Sequence, residues 1–417
     1  MDLMGTVARG ALAACFLTTA FSACDSGTGP TAAEGADDLG EQRVVLRGTG
    51  AEGALDKPVE VAVDGAKGRI TDVTVTDAAG RRLAGRLGVD GTRWHSTAPL
   101  AADAHYTVRV VTEGHNGAPG HRTLAFETAP GRQTLRVDFG PRAGTYGVGQ
   151  PLTARLSTPV GERDPRARAL VEGALRVESD LPVEGAWYWV SDRELHYRPK
   201  DYWPAHAEIR VSSALDGIRI EDGLYGARSV ALTLRTGERV EAVVDARAHI
   251  MTVRRGGRLL RTIPVTTGKP GFDTRNGIKV VLGKERYVRM RGTSIGIPAG
   301  SPDAYDTPVS DALRVTLSGE YLHAAPWSVG SQGRANVTHG CTGMSARDAA
   351  WLFDTMREGD IVTVVNSGGA RMPPFGNGFG DWNLPWNEWR EGGALSQGGR
   401  RDGTDPGSLA RLRPDSR

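Results

Sequence analysis

The first half of the chain is written in short segments in which apolar and polar residues alternate, each stopped by Gly, Asp or Pro. "RVVLRG" (43–48), "VEVAVDG" (59–65), "ITDVTVTD" (70–77), "YTVRVVTEG" (106–114) and "RTLAFETA" (122–129) form a first set. A period of two turns one side of each segment to a core and the other to water, which is strand behaviour. The 56 Gly and 23 Pro residues add turns and work against long helices. Strands of this length and spacing predict a β-sandwich over residues 42–130.

A second set fills residues 131–237: "LRVDFG" (135–140), "QPLTARLSTPV" (150–160), "ALRVES" (174–179), "AWYWVSDRELHYRP" (186–199), "AEIRVSS" (207–213) and "SVALTLRT" (229–236). A turn at Ser191-Asp192 joins two of these strands, and Trp187, Trp189, Leu195 and Tyr197 read as core aromatics and aliphatics of a second sandwich. From about Glu238 the texture changes. "RVEAVVDARAHIMTVRRGGRLLRTIPVTTG" predicts a hairpin around Arg254-Arg255-Gly256-Gly257, and "GIKVVLG" (277–283) and "ALRVTLSGEYLHAA" (312–325) read as further strands. One helix is expected from Ala346 to Arg357, with Ser345 as N-cap, Asp348 completing a capping box, and an apolar face of Ala346, Ala349, Ala350, Phe353 and Met356. "DIVTVVN" (360–366) closes a domain over 238–367; "GDWNLPWNEWREGGAL" reads as a Trp-rich appendage within 368–395, and 396–417 as a disordered tail. The fold class is mainly β.

The N-terminus reads as a targeting segment. Arg9 precedes an apolar stretch from Gly10 to Phe21, too short to favour a transmembrane helix and fitting a signal peptide over 1–23. Phe21-Ser22-Ala23-Cys24 resembles the lipobox of bacterial lipoproteins, so Cys24 is the expected lipidation site and 24–41 a flexible tether; the alternatives are plain secretion and a membrane anchor. A formal net charge of +2 gives no electrostatic case for nucleic acid.

Of the three cysteines, cleavage would remove Cys15 and lipidation would block Cys24, leaving Cys341 as a lone thiol in an oxidising setting. Chemistry is the best reason to keep it. It stands in "THGCTGMS" (338–345), an exposed and glycine-flanked context. A cysteine nucleophile needs a base, something to orient that base, and amide donors for an oxyanion. The N–H groups at 339–341 can supply the donors, and the helix from Ala346 is expected to point its positive end at the thiol and favour thiolate. Two histidines are near. His339 shares the loop, whereas His323 lies 341 − 323 = 18 residues upstream beside a strand, where it is held more rigidly. His323 is therefore the candidate base and His339 a loop-shaping or oxyanion-side residue. A zinc site from His323, His339 and Cys341 lacks a fourth ligand and any CxxC or HExxH spacing, so no metal or cofactor is expected.

His323 followed by Thr338-His339-Gly340-Cys341 resembles the signature of the L,D-transpeptidases, the YkuD-like family. The two sandwiches, "SDRELHYRPKDYWPAH", "IPAGSPDAYDTPV", "HAAPWSVG" and "GDWNLPWNEW" are similar to the mycobacterial or actinobacterial type. The resemblance implies two immunoglobulin-like domains acting as spacers before a β-rich catalytic domain. It also implies a cysteine acyltransferase of the cell wall. Cys341 would attack the third residue of a peptidoglycan tetrapeptide stem, release D-Ala, and pass the acyl group to a diaminopimelate amine as a 3→3 cross-link. In this scheme His323 is the base, the carbonyl of Ala324 orients it, and the amides of His339, Gly340 and Cys341 are oxyanion donors. Met290 and Tyr305, on a flap of roughly 286–308, with Trp327, Thr338 and Gly343, match substrate-cleft positions. Acylation by carbapenems is implied by the same thiol. The family often has Ser where this chain has Ala324, and commonly Asn where it has Gly343.

Three other readings remain open on the residues alone. An L,D-carboxypeptidase would use water as acceptor. A papain-like or NlpC/P60-like endopeptidase places its cysteine before its histidine, the reverse of the order here. A wall-binding lipoprotein has no need of a thiol and a base.

Overall fold

The computed structural model describes residues 43–48, 55, 57–64, 68–114 and 116–398. The expected signal peptide, Cys24, the tether and residues 399–417 of the expected tail lie outside these, whereas residues 396–398, expected to open that tail, belong to a helix at Ala394–Gly398. Among the described residues no helix is long and apolar enough to cross a membrane.

The first sandwich pairs a four-stranded sheet (Arg43–Arg47, Glu60–Asp64, Arg93–Ser96, Gly85–Leu87) with a three-stranded one (Gly68–Asp77, His105–Gly114, Pro119–Glu127). Alternation does what it predicts: Tyr106, Val108 and Val110 are buried while Arg109 between them is exposed. Val61, Val75, Trp94, Val108 and Phe126 meet in the core. The second sandwich stacks Thr145–Tyr146, Leu232–Thr236, Glu208–Ser213 and Leu175–Ser179 against Gly185–Trp189, Glu194–Pro199, Leu152–Leu156 and Val137–Gly140. Trp187, Trp189 and Leu195 are core residues, with Tyr197 packed against them. A helix at Pro165–Ala174 was not expected between these strands. Asp164 caps it by accepting from the amides of Arg166 and Ala167, and Pro165 opens it where an N–H would have no partner.

The third domain has two sheets. One runs in the order Arg258–Pro264, Ile250–Arg255, Val240–Asp245, Ile361–Val365, Gly277–Val280. The expected hairpin is there, but it includes a third strand: Gly256 and Gly257, at φ +54° and +79°, make the tight turn between the second and third. The other sheet runs Gly283–Arg291, Asp306–Arg314, Tyr321–Ala324, Thr342–Met344. The stretch 312–325, read as strand throughout, is broken in two. Gly319, at φ +98°, turns the chain, and the amide of Val315 bonds back to the carbonyl of Glu320 at 3.0 Å. The helix Ala346–Thr355 starts at Ser345, whose hydroxyl accepts from the Asp348 amide, and stops two residues before Arg357. It buries Ala349, Leu352 and Phe353 in a core with Val244, Met251, Leu313, Leu322 and Met344.

The Trp-rich appendage joins the second sandwich to the third domain. Trp389 is fully buried and its indole N–H donates to the carbonyl of Ala186, while the Trp189 amide donates to Gly392, so the sandwich's edge strand is covered. Arg198 is 2% exposed and lies against Trp382, Trp386 and Trp389. On the other side Asn383 accepts from the Ile278 amide at 2.9 Å and donates to its carbonyl at 2.7 Å, which ties the appendage to the strand Gly277–Val280.

Candidate active site

His323 and the segment leading from Cys341 lie on neighbouring strands. Tyr321–Ala324 and Thr342–Met344 pair in parallel, with Leu322 opposite Thr342 and His323 opposite Gly343. Opposed residues on a parallel pair share a face, and residues two apart share it again. His323 and Cys341 thus project on one face, separated by the slot of Gly343, which carries no side chain.

His323 is 5% exposed. Its Nδ1 lies 2.7 Å from the carbonyl oxygen of Ala324, and a carbonyl only accepts, so Nδ1 carries the proton and Nε2 presents a lone pair. Burial, partly opposed by this bond, holds the imidazole below its usual pKa and therefore neutral at pH 7. Trp327, 60% exposed, stacks over the ring at 6.1 Å. Ala324 meets the expected geometry through its backbone, so no hydroxyl is required there.

Cys341 is half-buried and packs with Met290 and Val288 against Val309, Ala312 and Tyr321. Its Sγ donates to the Gly319 carbonyl at 3.6 Å and accepts from the Tyr321 amide. Desolvation pushes the thiol pKa up to about 11; the Tyr321 amide and Lys279 oppose the rise, and Glu320 adds to it. This overturns the expectation of a helix-stabilised thiolate. The strand Thr342–Met344 intervenes between Cys341 and the helix, and three residues at about 3.3 Å each carry the helix N-terminus away from the sulfur. The resting pair is neutral thiol and neutral imidazole.

The nucleophile loop is pinned by Thr338. Its hydroxyl donates to the Cys341 carbonyl at 2.7 Å and accepts from the Gly340 amide at 3.2 Å. Thr338 therefore shapes the loop, and its hydroxyl keeps one acceptor lone pair besides these two bonds. The same bond engages the Gly340 N–H, so of the three expected oxyanion donors those of His339 and Cys341 are left for a ligand. Gly340 sits at φ +117°, which favours glycine.

Above this loop lies the flap, the hairpin of Gly283–Arg291 and Asp306–Arg314, in which Met290 pairs with Thr307. Tyr305 stacks on His339 at 4.9 Å, and burial beside Cys341 pushes its phenol to about 12. Asp303 lies 2.5 Å from Lys269 Nζ and 3.6 Å from His339 Nε2, and Phe272 meets the His339 ring edge-on. His339 is thus the seat on which the flap rests. Burial and the nearby Lys269 charge hold its pKa down.

Gly343 has a local cause. A Cβ there would meet Ala325 Cβ at 3.0 Å and Thr266 Cγ2 at 3.2 Å. Thr266 approaches this closely because it exchanges two backbone hydrogen bonds with Gly343, at 2.8 and 2.9 Å.

Sequence reasoning missed what lies beside the loop. A cleft of about 430 Å³ is lined by Phe272, Asp273, Arg275, Ile295, Gly319, Glu320, His339 and Gly340, among others. At its inner edge Glu320 binds the buried Lys279 at 2.6 Å and Arg275 at 3.2 Å. The signal was a lysine inside the apolar strand "GIKVV". Among the described residues no group of three His, Cys, Asp or Glu is placed to hold a metal ion.

Two β-sandwiches leading to a flap-covered domain, with an oriented imidazole on one strand and a thiol at the head of the parallel strand beside it, define a multidomain protein with a cysteine–histidine site. Comparison with known proteins gives the family. The family model described as "L,D-transpeptidase catalytic domain" matches residues 239–364, and that described as "Bacterial Ig domain" matches 52–219. The chain is 34% identical over 380 residues to L,D-transpeptidase 2 of Mycobacterium tuberculosis (strain CDC 1551 / Oshkosh), covering 89% of this chain and 91% of that protein. It is 38% identical over 219 residues to L,D-transpeptidase 1 of Mycobacterium tuberculosis (strain ATCC 25618 / H37Rv), covering 52% and 80% respectively. Among solved structures, LD transpeptidase LdtMt1 in complex with imipenem matches with 37% identity and a TM-score of 0.48, covering 55% of this chain and 98% of that one. The chain belongs to the L,D-transpeptidase family.

Proposed function

We propose that this peptidoglycan L,D-transpeptidase works through Cys341 as nucleophile and His323 as general base. The observation that carries the reading is the parallel register that sets both side chains on one face while Ala324 fixes the free lone pair on His323 Nε2. With a neutral thiol and a neutral imidazole, the proton leaves Sγ for Nε2 as the sulfur attacks the carbonyl of the third stem residue. The amides of His339 and Cys341 receive the developing oxyanion. Collapse breaks the peptide bond, the imidazolium returns its proton to the departing D-Ala amine, and a thioester remains. An amine of a second stem then attacks the thioester, giving its proton to Nε2, and the thiol is regenerated as the 3→3 bond forms.

A β-lactam carbonyl of a carbapenem meets the same thiol and base, so carbapenems are proposed as acylating inhibitors. Phe21-Ser22-Ala23-Cys24 supports a lipid anchor on the outer face of the membrane, with the sandwiches giving reach into the wall. Loss of fatty-acid labelling in Cys24→Ala tests that part.

Intact-protein mass spectrometry tests the mechanism. With a disaccharide-tetrapeptide, the protein should gain an acyl adduct, release D-Ala and yield a 3→3 dimer, and Cys341→Ala should do none of these. An adduct that yields only free tripeptide would make the protein a carboxypeptidase. Unchanged dimer formation in Cys341→Ala would sink the assignment.

A further inference from the structure

A buried ion pair stands beside the thiol and takes no part in the steps above. Lys279 is fully buried on the strand Gly277–Val280, and its Nζ donates to Glu320 Oε2 at 2.6 Å. Glu320 Oε1 accepts from the Arg275 amide at 3.0 Å and from its guanidinium at 3.2 Å. Burying such charges is costly, and apolar residues often pack as well in their place. Their placement explains them better than stability does. Glu320 lies between Gly319, whose carbonyl takes the S–H, and Tyr321, whose amide meets the sulfur. Its Oε1 comes within 4.0 Å of the Cβ position of Gly340, the residue before Cys341.

We propose that Glu320 and Lys279 are positioning residues that set how tightly Cys341 holds its proton. The Glu320 carboxylate keeps the resting thiol protonated, and the Lys279 ammonium limits that effect so that the sulfur can still give its proton to His323. This rests on Cys341 being the nucleophile. A protonated thiol is slow to oxidise, which suits Cys341, the free cysteine among the described residues, under the exported location proposed above. The other titratable or charged groups around the sulfur are His323 and Tyr321 on its neighbouring strand, Tyr305 on the flap and Arg275 beside Glu320. His339, with Asp303 and Lys269, stands two residues back along the loop. None of these is altered by the test.

The test is the pH dependence of iodoacetamide alkylation of full-length protein, read as the mass of the Cys341 peptide, in the wild type, Glu320→Gln and Lys279→Met. Below its pKa a thiol's ionised fraction changes tenfold per unit. Glu320→Gln should move the alkaline limb to lower pH and speed alkylation at pH 8 by about threefold to tenfold. Lys279→Met should move the limb the opposite way. A purely structural pair would shift both variants in one direction, and that result, or an unmoved limb in Glu320→Gln, overturns the proposal. Should Lys279→Met fail to fold, Glu320→Gln decides alone, with Lys279→Arg expected to keep the wild-type limb. Alkylation needs no stem peptide, so a failed transpeptidation assay bears on the acyl-transfer reading and leaves this result standing.

Discussion

His323 donates its Nδ1 proton to the carbonyl of its own neighbour, Ala324, at 2.7 Å, and so offers Nε2 as the free base. The acceptor is backbone, and no substitution at 324 removes it. Because burial holds His323 below 6.5 and pushes Cys341 to about 11, the two do not form a resting ion pair. The rate of carbapenem acylation should therefore climb with pH through an acid limb below 6.5, as the imidazole loses its proton. It should stay level across neutrality and climb again only toward about 11, where thiolate forms unaided. His323→Ala should lose the neutral plateau by about 10²–10⁴-fold and keep the alkaline limb. A wild-type plateau carrying thiolate absorbance at pH 7 would show a preformed ion pair instead.

Thr338 holds the loop from within, accepting from Gly340 and donating to Cys341. Thr338→Val keeps the shape and removes both bonds, at a cost of about 1 kcal/mol each. Acylation should slow by about tenfold or more, as expected when a nucleophile is slightly misplaced. Thr338→Ser should recover most of the rate. Equal rates in the Val and Ser variants would mean that the hydroxyl is idle.

Gly343 marks a place where the chain cannot take a larger residue cheaply. Gly343→Asn would press its Cβ on Ala325 and Thr266, the first held by its amide bond to the Met344 carbonyl and the second by its two backbone bonds to Gly343. We expect a loss of about 1–3 kcal/mol, typical of overpacking, read as a lower denaturant midpoint. Pairing it with Thr266→Ser, which removes Cγ2, should return part of the loss. An unchanged midpoint in the single variant would show that the slot is roomier than its contacts indicate.

The strand texture, the tandem sandwiches and the family were legible because they depend on local alternation and on a short motif. What escaped depends on chain reversal and on charge in three dimensions. Gly319 looked like an interruption inside one long strand, yet its left-handed turn is what brings Gly319, Glu320 and Tyr321 to the sulfur. The Lys279–Glu320 pair spans 41 residues and leaves no periodic trace. The thiolate expectation failed because the proximity of Cys341 to the helix in sequence ignored the three-residue strand between them. The loop-pinning bonds of Thr338 escaped because a motif names residues without saying which way their hydroxyls point.

His196 supplies a pH dependence far from the cleft. It lies 2.7 Å from Asp381 of the appendage and 3.3 Å from Glu194 on its own strand. Burial lowers its pKa, but the two carboxylates outweigh burial and raise it to about 9. A histidine whose folded pKa exceeds its unfolded value of about 6.5 stabilises fully below 6.5, and the contribution disappears as pH rises through about 9. Across that window the wild type should lose about 2–3 kcal/mol. Asp360, raised to about 7 mainly by desolvation, also makes stability fall with rising pH, but its window runs from 3.8 to about 7 and is largely complete before the other ends. His196→Gln should be less stable than the wild type at pH 6.5, with the gap narrowing by pH 9.5. Because Asp381 belongs to the appendage, proteolysis within residues 368–395 should quicken over the same interval in the wild type. Denaturant melts at the two pH values decide it: a gap that stays constant would mean His196 is neutral in the folded protein and holds Asp381 by hydrogen bonding alone.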